Sequence, residues 1–361
     1  MKKIVTIIGA RPQFIKAAVV SREIKRSFSN VFNEIIVHTG QHFDKNMSET
    51  FFDQLDIPKP GYNLGVSGGS HASMTARMLE AIEEVLYIEK PDMVLTYGDT
   101  NSTLAAALAA VKLHIPVAHV ESGLRSFNRR MPEEINRILT DTVSSLLFCP
   151  TTASVANLSD EGVHEGVCLV GDVMFDAALY YRDKAASDST ILDRLGVNDR
   201  PFVLATCHRA ENTDDAGRLI EIIKAISSIS FRLPVVLPIH PRTKKIISEM
   251  SGIDFAASVI CVEPLPYLDM VCLEQAAEVI LTDSGGVQKE AFFFHTPCVT
   301  IRDETEWMET LALGVNSLVE ANEKKILKAV MAYSEVKFGL DQPYGDGAAA
   351  NKLLSIMRDY Q

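Results

Sequence analysis

The chain has 361 residues, a formal net charge of −12 at pH 7, 47% hydrophobic residues and 23% charged ones. That length exceeds one ordinary domain and suits two of ~150–200 residues, each burying a core of its own. The composition is that of a soluble globular protein, and so acidic a chain argues against a general grip on nucleic acid or an anionic membrane, so a bound phosphate needs a local pocket.

The first nine residues hold two lysines and an apolar run, but Arg11 and Pro12 end it too soon for a signal peptide. No other stretch has the ~20 apolar residues that span a bilayer. The cysteines (Cys149, Cys168, Cys207, Cys261, Cys272 and Cys298) show no C-x-x-C pair and fall mostly on apolar runs. They read as buried, reduced thiols of a cytoplasmic protein. The histidines show no H-E-x-x-H spacing, so no metal site is expected.

Apolar strand followed by amphipathic helix repeats almost throughout, the pattern of parallel sheets covered on both faces. Strands are expected at 3–9, 34–39, 93–97, 116–120 and 146–149, with helices between them at 73–88 and 103–113. The theme repeats with strands at 202–206, 235–239, 259–262, 279–281 and 298–301. We therefore expect an α/β protein of two Rossmann-like, doubly wound domains facing a central cleft: 1–175, 176–347 as the nucleotide-binding half, and a C-terminal helix at 348–361 packing back on the first. Ligands of such sheets sit beyond the carboxyl ends of the strands, so motifs at strand ends matter most.

Gly9-Ala10-Arg11-Pro12-Gln13-Phe14-Ile15-Lys16 follows the first strand. Pro12 suits a first helical turn, and Arg11 and Lys16 sit where an anion is already favoured. The segment is neither G-x-G-x-x-G nor a Walker loop, which speaks against a nicotinamide cofactor or ATP hydrolysis. Tyr97-Gly98-Asp99-Thr100 and His119-Val120-Glu121-Ser122-Gly123-Leu124-Arg125 each place a carboxylate at a strand end. They are separated by about one strand-helix repeat, so neighbouring strands bring Asp99 and Glu121 to one rim. Glu133, in Pro132-Glu133-Glu134, adds a third acid at a helix start. Any one of these acids alone reads as a helix cap; three on one rim read as a site.

In the second half, Cys207-His208-Arg209 and Ile239-His240-Pro241-Arg242 each put a histidine and an arginine just past a strand. Asp283-Ser284-Gly285-Gly286 turns a strand into a helix whose free N–H groups form an anion cradle, with Glu290 placed to accept bonds from a ribose diol. An anion cradle, several cations and a facing set of acids match a nucleotide sugar. If the diphosphate is a leaving group, the carbon it leaves becomes electron-poor and the neighbouring C2–H becomes acidic enough for a carboxylate to remove. Re-addition with protonation from the other face inverts C2.

Together these segments, with Pro343-Tyr344-Gly345-Asp346-Gly347, resemble the non-hydrolysing UDP-N-acetylglucosamine 2-epimerases nearly end to end. The resemblance implies the two-domain GT-B arrangement, a homodimer, no cofactor, and elimination of UDP to a glycal followed by re-addition. It implies catalytic roles for Asp99, Glu121, Glu133, His208 and Lys16, and UDP contacts for Arg11, His240, Ser284, Gly285, Gly286 and Glu290. Arg125 is assigned to substrate binding beside them, and Glu134 is the alternative to its neighbour Glu133.

The chain departs from many members at Ala10 and Gln13. It also departs after Gln41-His42, where the segment flanking an activator molecule in bacterial members continues as Phe43-Asp44-Lys45-Asn46-Met47; allosteric activation by UDP-GlcNAc is not implied. That segment, with Pro12-Gln13-Phe14-Ile15-Lys16 and Phe292-Phe293-Phe294-His295-Thr296-Pro297-Cys298, resembles the branch acting on UDP-2,3-diacetamido-2,3-dideoxy-glucuronate for O-antigen or capsule sugars. Other readings of the same parts are a GT-B glycosyltransferase using a UDP-sugar donor, a hydrolysing epimerase, and a nucleotide-sugar sensor.

Overall fold

Alternating buried strands and amphipathic helices build two separate parallel sheets in the computed structural model, which describes residues 1–41, 59–250 and 252–360. The chain divides into two compact units, Met1–Ala177 with Gln342–Gln361, and Ala178–Asp341.

In the first unit the strands are β1 (Lys2–Ile8), β2 (Phe32–His38), β3 (Tyr62–Asn63), β4 (Met93–Tyr97), β5 (Val117–Val120), β6 (Leu146–Cys149) and β7 (Val167–Leu169), in the order 3-2-1-4-5-6-7. Every pairing is parallel. β4, β5 and β6 are buried along their whole length, which is why they read as unbroken apolar runs rather than alternating ones. The helix Asn101–Lys112 begins at Thr100, whose hydroxyl accepts the Thr103 N–H at 3.3 Å. Its small side chains, Ala105 to Ala107, Ala109 and Ala110, are fully buried and let the helix approach its neighbours closely.

The second unit holds β8 (Val203–Thr206), β9 (Val235–Pro238), β10 (Val259–Val262), β11 (Val279–Thr282), β12 (Cys298–Thr300) and β13 (Asn316–Leu318), in the order 10-9-8-11-12-13, again all parallel. In both sheets the order reverses next to the unit's first strand, between β1 and β4 and between β8 and β11. Loops diverge there, and that is where open α/β sheets bind ligands.

β3, β7 and β13 have no counterpart among the expected strands. They are two- or three-residue edge strands, half-buried or exposed for the most part, too short to stand out as strands in the sequence. The expectation of buried thiols fails for Cys261, which is exposed on the edge strand β10, and Cys168 is only half-buried. Burial pushes the Cys149 and Cys298 thiols up to about 12.

The last helix, Ala349–Asp359, belongs to the first unit and buries Leu353, Leu354 and Met357. Asp176 accepts the Ala349 and Ala350 N–H groups at 3.1 and 2.8 Å, closing the helix start. Burial nevertheless raises the Asp176 carboxyl to about 6. Unfolded, it loses its proton near pH 4, so between those values the folded chain holds a proton the unfolded chain lacks. The resulting stability is full below the unfolded value and is lost as pH rises through about 6. Moving from pH 7 to pH 5 should therefore stabilise the wild type by about 1 kcal/mol more than Asp176→Asn. Parallel denaturation profiles for the two proteins across that window would rule the effect out.

Candidate active site

At the first switch point, Gln13 ties the two diverging loops together. Its Oε1 accepts Gly9 N–H at 2.8 Å and Ala10 N–H at 3.0 Å, while its Nε2 donates to the Tyr97 carbonyl at 2.7 Å and to the Thr100 and Thr103 hydroxyls. The Lys16 side chain, one turn further along that helix, forms an ion pair with Glu121, and both side chains are about nine-tenths buried. Glu121 follows β5 directly and holds φ at +75°, a conformation uncommon for a residue with a side chain and one that concentrates at functional sites. Gly98, at φ +62°, leaves open the space beside this pair. A Cβ there would stand 3.3 Å from Glu121 Oε2 and 3.5 Å from Lys16 Nζ.

Asp99 pairs with Arg137, which also donates to Glu134 at 3.1 Å. The two neighbouring glutamates separate sharply. Glu134 is buried and accepts the Ser126 and Phe127 N–H groups at 2.9 Å each. Glu133 is exposed, and among the described residues it shows no bonded partner. Glu134 therefore holds the loop and Arg137 in place, while Glu133 stands at the surface.

Arg125 does not reach this rim. Its guanidinium is 1% exposed and donates to Glu161 at 2.7 Å twice, to Asp141 at 2.8 Å and to the Leu124 carbonyl at 2.7 Å. It is committed to the interior of the first unit, which corrects its assignment to substrate binding. Burial tends to raise the Asp141 carboxyl, but His119 and Arg125 together bring it below its ordinary value.

At the second switch point Asp283, fully buried, crosses from β11 to the loop after β8. It accepts the backbone N–H groups of His208 and Arg209 at 3.0 Å each and the Asn212 side-chain amide at 3.1 Å. The His208 ring lies with Nδ1 3.3 Å from Asp283 and is half exposed. Asn212 in turn donates to the Ile301 carbonyl at 2.9 Å.

The helix Gly285–Phe293 starts from Ser284, whose hydroxyl makes no capping bond. The first-turn N–H groups have no carbonyl within the helix to bond. Gly285 is needed for close approach, because a Cβ there would lie 3.2 Å from Glu306 Oε1 and 3.4 Å from Trp307 Nε1, with Arg209 Nη2 at 3.9 Å. Glu290 is buried and accepts the Tyr267 hydroxyl at 2.9 Å. His240 caps the helix Pro241–Glu249, its Nδ1 accepting the Arg242 N–H at 3.2 Å, so Nε2 carries the proton and is available to a ligand oxygen.

Arg242 itself pairs with Asp214, and Arg302, buried, pairs with Glu306 at 2.8 Å. Both are neutralised by neighbouring acids. The Arg11 side chain lies outside the described residues, as do 42–47 of the segment beginning at Gln41; Gln41 accepts the Ser102 hydroxyl at 2.7 Å.

Gln13, Gly98, Asp141, Asp283 and Tyr267 were not singled out by the sequence as site-forming residues. Gly98 leaves room beside the Lys16–Glu121 pair and the other four bond to other residues, and in the sequence only a polar residue set among buried apolar ones marks such a role.

Two Rossmann-like units, one with acids and a lysine at its switch point and the other with an anion cradle at its own, define a GT-B-type nucleotide-sugar enzyme. Residues 23–358 match the family model UDP-N-acetylglucosamine 2-epimerase, and the chain belongs to that family. It is 54% identical over 360 residues to a UDP-2,3-diacetamido-2,3-dideoxy-D-glucuronate 2-epimerase of Pseudomonas aeruginosa, covering 98% of this chain and 99% of that one. A UDP-N-acetylglucosamine 2-epimerase of Methanocaldococcus jannaschii is 43% identical over 363 residues, covering 98% of each. The crystal structure of the M. jannaschii UDP-GlcNAc 2-epimerase in complex with UDP-GlcNAc and UDP superposes with a TM-score of 0.90 at 41% identity, covering 99% of this chain and all of that one.

Proposed function

We propose that this UDP-sugar 2-epimerase acts on UDP-2,3-diacetamido-2,3-dideoxy-D-glucuronate and converts it to the manno isomer. The observation that carries the choice of sugar is the 54% identity to the Pseudomonas aeruginosa relative of that name, against 49% to a UDP-N-acetylglucosamine 2-epimerase homolog of Methanococcus maripaludis and 43% to the UDP-GlcNAc enzyme of M. jannaschii, at near-complete coverage of all three.

The second unit holds the uridine diphosphate. Gly285 and Gly286 offer helix N–H groups and Ser284 a hydroxyl to the diphosphate, His240 Nε2–H adds a donor, and Glu290, oriented by Tyr267, accepts the ribose hydroxyls. Arg11 completes the UDP contacts. The first unit supplies the acid–base groups. As the C1–O bond to UDP breaks, donors at the phosphate stabilise the departing charge. Glu121 or Asp99 takes the C2 proton, giving a glycal and free UDP. A proton then reaches C2 from the opposite face, from Glu133 or His208, and the UDP oxygen adds back at C1. Atoms balance over the cycle, and no cofactor is called for. The assembly the family resemblance implies is a cytoplasmic homodimer supplying surface polysaccharide synthesis. A monomeric mass by light scattering would count against it.

Incubating the purified chain with each UDP-sugar separately, without any acceptor, tests the reading. The diacetamido uronate should give a C2 isomer at a kcat/KM at least about tenfold above that for UDP-GlcNAc, a discrimination worth about 1.4 kcal/mol. Faster turnover of UDP-GlcNAc would reverse the assignment of the sugar. NMR spectra of both sugars left unchanged by the incubation would remove the epimerase reading.

A further inference from the structure

We infer that His119 is a positioning residue for the epimerisation, acting through the carbonyl of Gly98 to hold open the face on which Lys16, Glu121 and Asp99 work. The inference rests on the reading of Asp99 and Glu121 as the acids of the reaction.

His119 lies in the middle of the β5 apolar run and is fully buried. A lone histidine there is usually a satisfied structural group, and this one is satisfied in a particular way. Its Nε2 lies 2.7 Å from the Gly98 carbonyl, and its Nδ1 lies 2.7 Å from Asp141 Oδ1. A carbonyl and a carboxylate are both acceptors, so the ring donates on both sides. The other Asp141 oxygen takes the Arg125 guanidinium at 2.8 Å and the Gly123 N–H at 3.1 Å, and Arg125 is fixed in turn by Glu161. A buried chain of donors and acceptors therefore ends on one peptide carbonyl, that between Gly98 and Asp99.

That peptide is the one that needs holding. Gly98 has no side chain and sits at φ +62°, where glycine moves between conformations at little cost. Its open Cα face lies against the Lys16–Glu121 pair, and the next residue aims the Asp99 carboxylate toward Arg137. The backbone supplies one more tie, from Gly98 N–H to the Val120 carbonyl at 3.0 Å. If the Gly98 carbonyl were released, the peptide would turn, carrying Asp99 away and closing the space beside Glu121. Misplacement of about 1 Å at a reacting group is worth on the order of a hundredfold in rate.

The two ring bonds can be separated by substitution. The amide nitrogen of glutamine reaches the position of Nε2 and keeps the bond to Gly98, whereas that of asparagine reaches the position of Nδ1 and keeps only Asp141. In the full-length chain, His119→Gln should retain kcat within about tenfold of wild type, and His119→Asn should lose roughly a further hundredfold, with KM and UDP affinity unchanged in both.

A histidine that only supports the fold would lower kcat in step with the loss of Tm, with no advantage for glutamine, and that result would overturn the inference. Should neither variant fold, 15N-histidine labelling of the wild type decides it. A buried ring with protons on both nitrogens supports the assignment, and one with an unprotonated Nε2 sinks it. Absence of epimerisation by the wild type would instead remove the functional reading beneath it.

Discussion

Glu121→Gln should reduce kcat by about 10³-fold while UDP binds with unchanged affinity. Glutamine keeps the shape and the contact with Lys16 but cannot take up a proton from C2. The loss should therefore fall on chemistry rather than on binding, since the groups proposed to hold UDP, Arg11 apart, belong to the other unit. Asp99→Asn should behave alike, with the added loss of charge opposite Arg137. Solvent deuterium should appear at C2 of both sugars in the wild type and should be lost from the Glu121→Gln reaction at the same rate as epimerisation. Lys16 is left buried beside a neutral partner in that variant, which costs stability, so Tm must be measured alongside. Turnover near the wild-type rate in both variants would exclude the two acids, and a product without deuterium would exclude proton removal.

The parts of this protein most legible in its sequence were those where one residue does one job. Strands buried on both faces announced themselves, as in β4 and β11, and glycines at strand ends located both switch points. Less legible were residues that work through others. His119 is part of an apolar strand, and nothing in its neighbours says that its ring is clamped between Asp141 and the Gly98 carbonyl, because Asp141 comes 22 residues later on a helix. Arg125 was misjudged for the same reason: its partners Asp141 and Glu161 are brought to it by folding, and a cation beside an acid motif looks the same in sequence whether or not it is already neutralised. Glu133 and Glu134 show the limit at its narrowest. They are chemically identical neighbours, and the helix turn between them makes one a buried anchor and the other an exposed acid.

Asp283→Ala should destabilise the second unit by about 3–5 kcal/mol and abolish UDP binding together. This carboxylate is fully buried and is the common acceptor for His208 N–H, Arg209 N–H and the Asn212 amide. Removing it leaves the buried Asn212 amide and the half-buried His208 and Arg209 N–H groups without their acceptor, at about 1–3 kcal/mol for a fully buried donor and less for the others. The same bonds set the path of the loop after β8 relative to the turn after β11, across the switch point. On that path Arg209 comes near the start of the helix Gly285–Phe293, and the His208 ring stands beside Asp283. Asp283→Asn separates the two effects. One amide oxygen can still accept from the loop while the amide nitrogen faces a donor, so the chain should fold with a smaller loss, yet bind UDP at least about tenfold more weakly. Calorimetric titration with UDP on the folded Asn variant decides the matter. Undiminished affinity would mean that the cradle stands without this carboxylate, and the loop after β8 would then have no part in holding the diphosphate.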